Sequence, residues 1–96
     1  MLLIRFRHKG LKRLFVDGDA RGVPAAMAGK IRKLLFALET AENLDEVASF
    51  PGWKLHPLKG DLDGFWSFTV SGNWRLVFGY DDRNNTASDL DLTDYH

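Results

Sequence analysis

The chain contains no cysteine. That absence excludes a disulfide framework and any thiolate metal site, and it suits a reducing compartment. No apolar run approaches the roughly 20 residues a membrane span needs. The apolar start Met1-Leu2-Leu3-Ile4 is too short for the hydrophobic part of a signal peptide. A cytoplasmic location, away from any membrane, is therefore expected. Net charge is also missing, with 13 Lys and Arg set against 13 Asp and Glu. No internal repeat or low-complexity stretch is present. No glycine-rich loop runs into Lys-Ser or Lys-Thr, so nucleotide hydrolysis lacks its motif. The three histidines, at 8, 56 and 96, have no metal-ligand spacing. No metal and no cofactor are expected.

What is present fits one domain over residues 1–96, with 45% hydrophobic residues to build a single core. The charge is unevenly spread. Residues 1–33 hold nine basic and two acidic residues, a net +7, and residues 34–96 hold four basic and eleven acidic, a net −7. Such asymmetry predicts a basic surface built from the N-terminal third. Arg7, Lys9, Lys12, Arg13, Lys30 and Lys33 are its candidates for contact with a polyanion such as a nucleic acid.

Residues 1–7 read as a strand, with Ile4 and Phe6 on one face and Arg5 and Arg7 on the other. Leu11, Leu14 and Phe15 predict a helix over Lys9–Val16, broken at Asp17-Gly18-Asp19. Pro24 suits a helix start. Met27, Ile31, Leu34, Leu35 and Leu38 form an amphipathic stripe behind it, with Lys30 and Lys33 on the outer side. Residues 41–52 read as a loop or short helix. Phe65–Val70 and Trp74–Tyr80 are alternating strands around Ser71-Gly72-Asn73, a hairpin. A three-residue loop pairs Val70 with Trp74, Phe68 with Leu76 and Trp66 with Phe78 on the core face. Ser67, Thr69, Arg75 and Val77 then share the other face. Residues 86–92 predict a last strand, leaving Thr93–His96 as a tail. The order predicts an α+β layer: an N-terminal strand and two helices on a mainly antiparallel sheet of about four to five strands, one face free for a ligand.

Several segments stand out together: the basic Arg5–Lys12, Leu55-His56-Pro57-Leu58-Lys59-Gly60, Trp66-Ser67 with Gly72-Asn73-Trp74-Arg75, and Asp94-Tyr95-His96. In this order and spacing, over essentially the whole chain, they resemble the HigB-type toxins, or plasmid-maintenance killer proteins, of the RelE/ParE superfamily. The resemblance implies a RelE-like fold and metal-independent cleavage of mRNA in the ribosomal A site. It also implies a HigA-like helix-turn-helix antitoxin as partner, with operator DNA bound only through the toxin–antitoxin complex. It places the catalytic positions on His56, Lys59, Asp94, Tyr95 and His96, and a phosphate contact on Arg75.

The residue types suit that chemistry. Attack by a 2′-hydroxyl on the adjacent phosphate needs a base, an acid and positive charge on the phosphorane. Histidine fills either proton-transfer role, and the sequence does not divide those roles between His56 and His96. Lys59 and Arg75 supply charge, Arg75 as a bidentate fork. Tyr95 offers stacking or a hydrogen bond. Each residue alone has an ordinary reading: Arg75 as a cross-strand partner of Asp89 or Asp91, the tail as a frayed end, His8 as part of the basic segment, and Trp53, Trp66 and Trp74 as packing. Two other functions compete. One is a non-catalytic ParE-like toxin that binds DNA gyrase. The other is an inactive member that acts only with its antitoxin, which the acids of Asp89-Leu90-Asp91-Leu92 would favour if they lay unpaired beside the site.

Overall fold

The computed structural model describes residues 1–95. Its elements are strand β1 (Leu2–Phe6), helices α1 (Lys9–Asp17), α2 (Ala28–Thr40) and α3 (Leu44–Ala48), then strands β2 (His56–Pro57), β3 (Phe65–Ser71), β4 (Trp74–Asp81) and β5 (Thr86–Asp94). The sheet order is β1-β5-β4-β3-β2. Only the β1–β5 pair is parallel. The helices cross from β1, at one edge of the sheet, to β2, at the other.

Both long helices form where the apolar spacing puts them. Leu11 and Leu14 of α1 and Ile31, Leu34, Leu35 and Leu38 of α2 are buried. They pack on Phe68, Val70, Leu76, Phe78, Leu90 and Leu92 of the sheet in one cluster. Gly18 closes α1 in the left-handed conformation, at φ 70°. His8 opens it: its Nδ1 accepts from the Leu11 N–H at 3.2 Å. That histidine is thus a helix cap rather than simply a member of the basic segment. Met27 belongs to a short 3-10 turn, Ala25–Met27, that leads into α2. Residues 41–52 contain the short helix α3, capped by Asn43.

Gly10 fixes how closely α1 approaches the following turn. A Cβ built there would lie 2.0 Å from the Gly22 carbonyl oxygen, a backbone atom that cannot rotate away. Gly10→Ala is therefore expected to destabilise the fold by about 1–3 kcal/mol through overpacking. Alanine's better helix propensity, worth about 1 kcal/mol, acts in the opposite direction. Urea titration checks this, and a stabilised variant would show the contact to be soft.

The hairpin differs from the expected one at its tip. Phe68 does face Leu76, and Trp66 faces Phe78. However, Ser71, not Val70, pairs with Trp74, leaving a two-residue turn of Gly72 and Asn73. Gly72 takes φ 54°, which a primed two-residue turn requires at its first central position. The register shifts between Thr69 and Ser71, and this bulge absorbs Val70, so the core pairs keep their phase.

Two further corrections concern the edge strand and the tail. Leu3, not Ile4, is buried alongside the half-buried Phe6. Arg5 sits between them at φ 52°, and this left-handed residue skips one step of the alternation. Asp89 on β5 does the same at φ 53°, and the two side chains pair at 3.5 Å. The skip at Asp89 turns Leu90 and Leu92 into the core. At the other end, β5 runs to Asp94, so Thr93 and Asp94 belong to the sheet rather than to a tail.

Candidate active site

The sheet face away from the helices gathers residues from four strands. His56 of β2 stands opposite Ser67 of β3, which stands opposite Val77 of β4, which stands opposite Asp91 of β5. The next row is Thr69, Arg75 and Thr93. Normal strand spacing puts the Cα atoms of His56 and Arg75 about 12 Å apart, a gap long side chains and one phosphate can bridge. This face is less open than expected, because Ser67 and Val77 are buried. A short side chain between longer neighbours in its row is shielded from solvent.

Arg75 is half-buried. Its Nη1 donates to the carbonyls of Gly72 at 2.7 Å and Trp74 at 3.1 Å. The guanidinium is thus clamped to the hairpin turn. The ordinary alternative, an ion pair with Asp89 or Asp91, is not what Arg75 makes: Asp89 pairs with Arg5, and Asp91 accepts from the Leu92 N–H at 2.9 Å. The acids of β5 therefore have partners of their own.

His56 is exposed, and its Nδ1 lies 2.9 Å from the Lys54 carbonyl oxygen. Lys59, also exposed, precedes a short 3-10 turn, Gly60–Leu62, at the same sheet edge. Asp94 lies opposite Trp74 at the far end of β5. The Tyr95 N–H donates to the Asn73 carbonyl at 2.9 Å, which ties the chain end to the hairpin turn. By strand spacing, His56 and Asp94 are roughly 17 Å apart across the sheet, with Arg75 between them. The registers thus put His56 and Arg75 on one face and tie Tyr95 to the hairpin turn that also holds Arg75, whereas Asp94, opposite Trp74, alternates to the other face and is not brought against His56. His96 lies outside the described residues.

Of the basic candidates, Arg7, Lys9, Lys12, Arg13 and Lys33 are exposed, and Lys30 is half-buried. They sit on the end of β1 and on the helices. The tryptophans pack: Trp53 stacks on Phe50 at 4.3 Å and meets Phe68 edge-on at 6.0 Å, and Trp66 and Trp74 lie against the core. Two residues given no role in the site by the sequence, Ser67 on the expected face and Thr93 in the expected tail, also line it. The hydroxyls of Ser67, opposite His56, and Thr93, opposite Arg75, are buried and make no hydrogen bond among the described residues. A buried unpaired hydroxyl costs roughly 1–3 kcal/mol, and such groups gather where a ligand or water completes the bonding.

The sequence over residues 4–96 matches the family model of the RelE-like toxin of type II toxin–antitoxin system HigB. The chain belongs to the HigB toxin family. A HigB relative, "Endoribonuclease HigB" of Proteus vulgaris, is 46% identical over 91 residues, covering 95% of this chain and 96% of that protein. Among solved structures, the YoeB dimer of Staphylococcus aureus aligns with a TM-score of 0.59 and 26% identity, over 99% of this chain and 97% of that one. The RelBE2 toxin–antitoxin complex of Mycobacterium tuberculosis contains a chain that aligns at TM-score 0.55 and 20% identity, over 99% of this chain and 98% of its own. The expected α+β RelE-like fold is therefore the fold this HigB-family chain has. Among the described residues, no helix is long and apolar enough to cross a membrane.

Proposed function

We propose that this HigB-family toxin is a cytoplasmic endoribonuclease that cuts mRNA on the ribosome without a metal. Its partner in that proposal is a HigA-like helix-turn-helix antitoxin. The observation that carries the reading is one sheet face holding His56 and Arg75, with Thr93, next to the Asp94–Tyr95 chain end, directly across from Arg75. The 46% identical relative named as an endoribonuclease supports the same activity. It disfavours the gyrase-binding alternative.

The chemistry follows from that layout. The 2′-oxygen bonds to phosphorus, the P–O5′ bond breaks, and the products are a 2′,3′-cyclic phosphate and a free 5′-hydroxyl. One histidine removes the 2′-hydroxyl proton and the other protonates the departing 5′-oxygen, so no water is consumed. Arg75 has five N–H donors, of which the turn carbonyls take those of Nη1. The Nε and Nη2 donors serve the phosphorane, with Lys59 adding charge from the His56 side. Tyr95 stacks on or bonds to a base, and Asp94 orients His96.

The test is expression of the toxin with primer extension on a translated message. Cuts inside the reading frame, ends bearing 5′-hydroxyls, and rescue by the antitoxin are expected. Arrest with intact mRNA and lost supercoiling would instead establish the gyrase reading.

The basic surface gives a separate prediction. Replacing Lys9, Lys12 and Lys33 with glutamine should weaken ribosome binding and reduce the slope of log affinity against log salt by roughly 2–3, one counterion per lost phosphate contact. All three are exposed, so the melting temperature should hold. An unchanged salt slope would remove these lysines from the ribosome contact.

A further inference from the structure

We infer that Lys54 is a positioning residue whose left-handed backbone fixes the His56 ring as the Nδ1–H tautomer, leaving Nε2 as the base that takes the 2′-hydroxyl proton. The functional half of this rests on the proposed role of His56. The tautomer itself does not.

The argument begins with register. Trp53 is anchored to β3, because its carbonyl accepts from the Thr69 N–H at 2.9 Å. His56 is paired with Ser67 on the same strand. Between these anchors the incoming chain spends three residue steps against two on β3, so one residue is extra. One class of bulge accommodates the extra residue by placing it in the left-handed region, a position usually given to glycine. Here Lys54 takes it, at φ 51°. Bulges beside active sites re-aim side chains or backbone groups, and this one turns the Lys54 carbonyl toward the ring two residues on. The contact is Nδ1 to oxygen at 2.9 Å.

A carbonyl oxygen only accepts, so the nitrogen facing it carries the hydrogen. In the neutral ring the other nitrogen, Nε2, then holds the lone pair. His56 is exposed, so Nε2 is accessible to substrate. The Ser67 hydroxyl across from it makes no hydrogen bond among the described residues. That arrangement suits a base before the reaction, and it leaves the acid role to His96. His8 provides an internal contrast. Its Nδ1 accepts from a backbone N–H, so its hydrogen is on Nε2. The two described histidines should be opposite tautomers.

The decisive experiment is long-range 1H–15N correlation on the free, unmodified protein at a pH where the rings are neutral. The expected result is Nδ1–H for His56 and Nε2–H for His8. An Nε2–H His56 would overturn the inference, whatever the enzyme does. Cleavage by Lys54 variants is the second arm. Lys54→Gly and Lys54→Asn tolerate positive φ and should keep near wild-type rates despite losing the charge. Lys54→Val resists positive φ and should lose at least about tenfold of the roughly 100- to 10,000-fold a proton-transfer group contributes. Equal loss in all three variants would assign the effect to the lysine side chain and overturn the backbone role. Full cleavage by His56→Ala would instead refute the proposed active site while leaving the tautomer measurement standing.

Discussion

Removing Tyr95 and His96 is expected to reduce mRNA cleavage by about 100- to 10,000-fold, the usual worth of a proton-transfer group. The fold should lose little. The described backbone bond that goes is Tyr95 N–H to Asn73, and one such bond is worth roughly 0.5–1.5 kcal/mol. For a domain of this size that amounts to a fall of about 2–12 °C in melting temperature. The cut must stop after Asp94, because Asp94 occupies a ladder position opposite Trp74. A longer deletion would mix loss of the sheet end with loss of chemistry. His56→Ala should match the truncation in activity with still less effect on melting, since its described side-chain bond is to the exposed Lys54 carbonyl. Residues that act as one unit do not give additive losses. The double variant should therefore be little slower than either single one. Cleavage at the wild-type rate by the truncated chain would return the end of the protein to an ordinary strand terminus.

The extent to which the sequence displayed this molecule depended on the length of each pattern. Helix α2 and the turn before it carry five apolar residues in helical phase, from Met27 to Leu38, and a 12-residue pattern has few alternative readings. The pairs Phe68–Leu76 and Trp66–Phe78 were legible because burial penalises any one-step slip. The tip was not, because a bulge at Val70 and a two-residue turn keep the same core pairs as a plain three-residue loop. Strand β2 is only two residues long, one of them a proline, and shows no period at all. Its place at the sheet edge is a tertiary fact, yet it decides where His56 stands. Left-handed residues at Arg5, Lys54 and Asp89 also left no trace. None is a glycine, so the local sequence does not reveal the conformation. The β5 end was misread for a related reason: Thr-Asp-Tyr-His looks like a polar tail, and pairing with Trp74 and Asn73 makes most of it part of the sheet. The candidate residues themselves were visible as types in a family order. Their division into a His56 side and a chain-end side of Arg75 was not.

The largest effect on stability is expected for Phe78→Ala. Phe78 has no exposed surface, sits on β4 between β3 and β5, and meets Phe68 at a ring-centroid distance of 5.7 Å. Truncating such a ring removes about 3–5 kcal/mol through lost transfer energy and the cavity left behind. Domains of this kind have a total stability of about 5–15 kcal/mol, so much of the margin disappears. The melting temperature should drop by roughly 12–40 °C. Arg75, three residues earlier on the same strand, provides the opposite test. It points away from the core, and Arg75→Ala removes two bonds to turn carbonyls from a half-buried site. Its melting temperature should stay within several degrees of wild type while cleavage falls by about 100-fold or more, as for other groups that hold transition-state charge. Temperature separates the two causes. Phe78→Ala should regain cleavage on cooling, as the folded fraction returns, and Arg75→Ala should remain inactive at every temperature. If both variants melt alike, Arg75 is a structural residue of the hairpin and the phosphate contact must be sought elsewhere. If Phe78→Ala melts like wild type, the face assignment of β4 is wrong, and the placement of His56 and Arg75 on the opposite face falls with it.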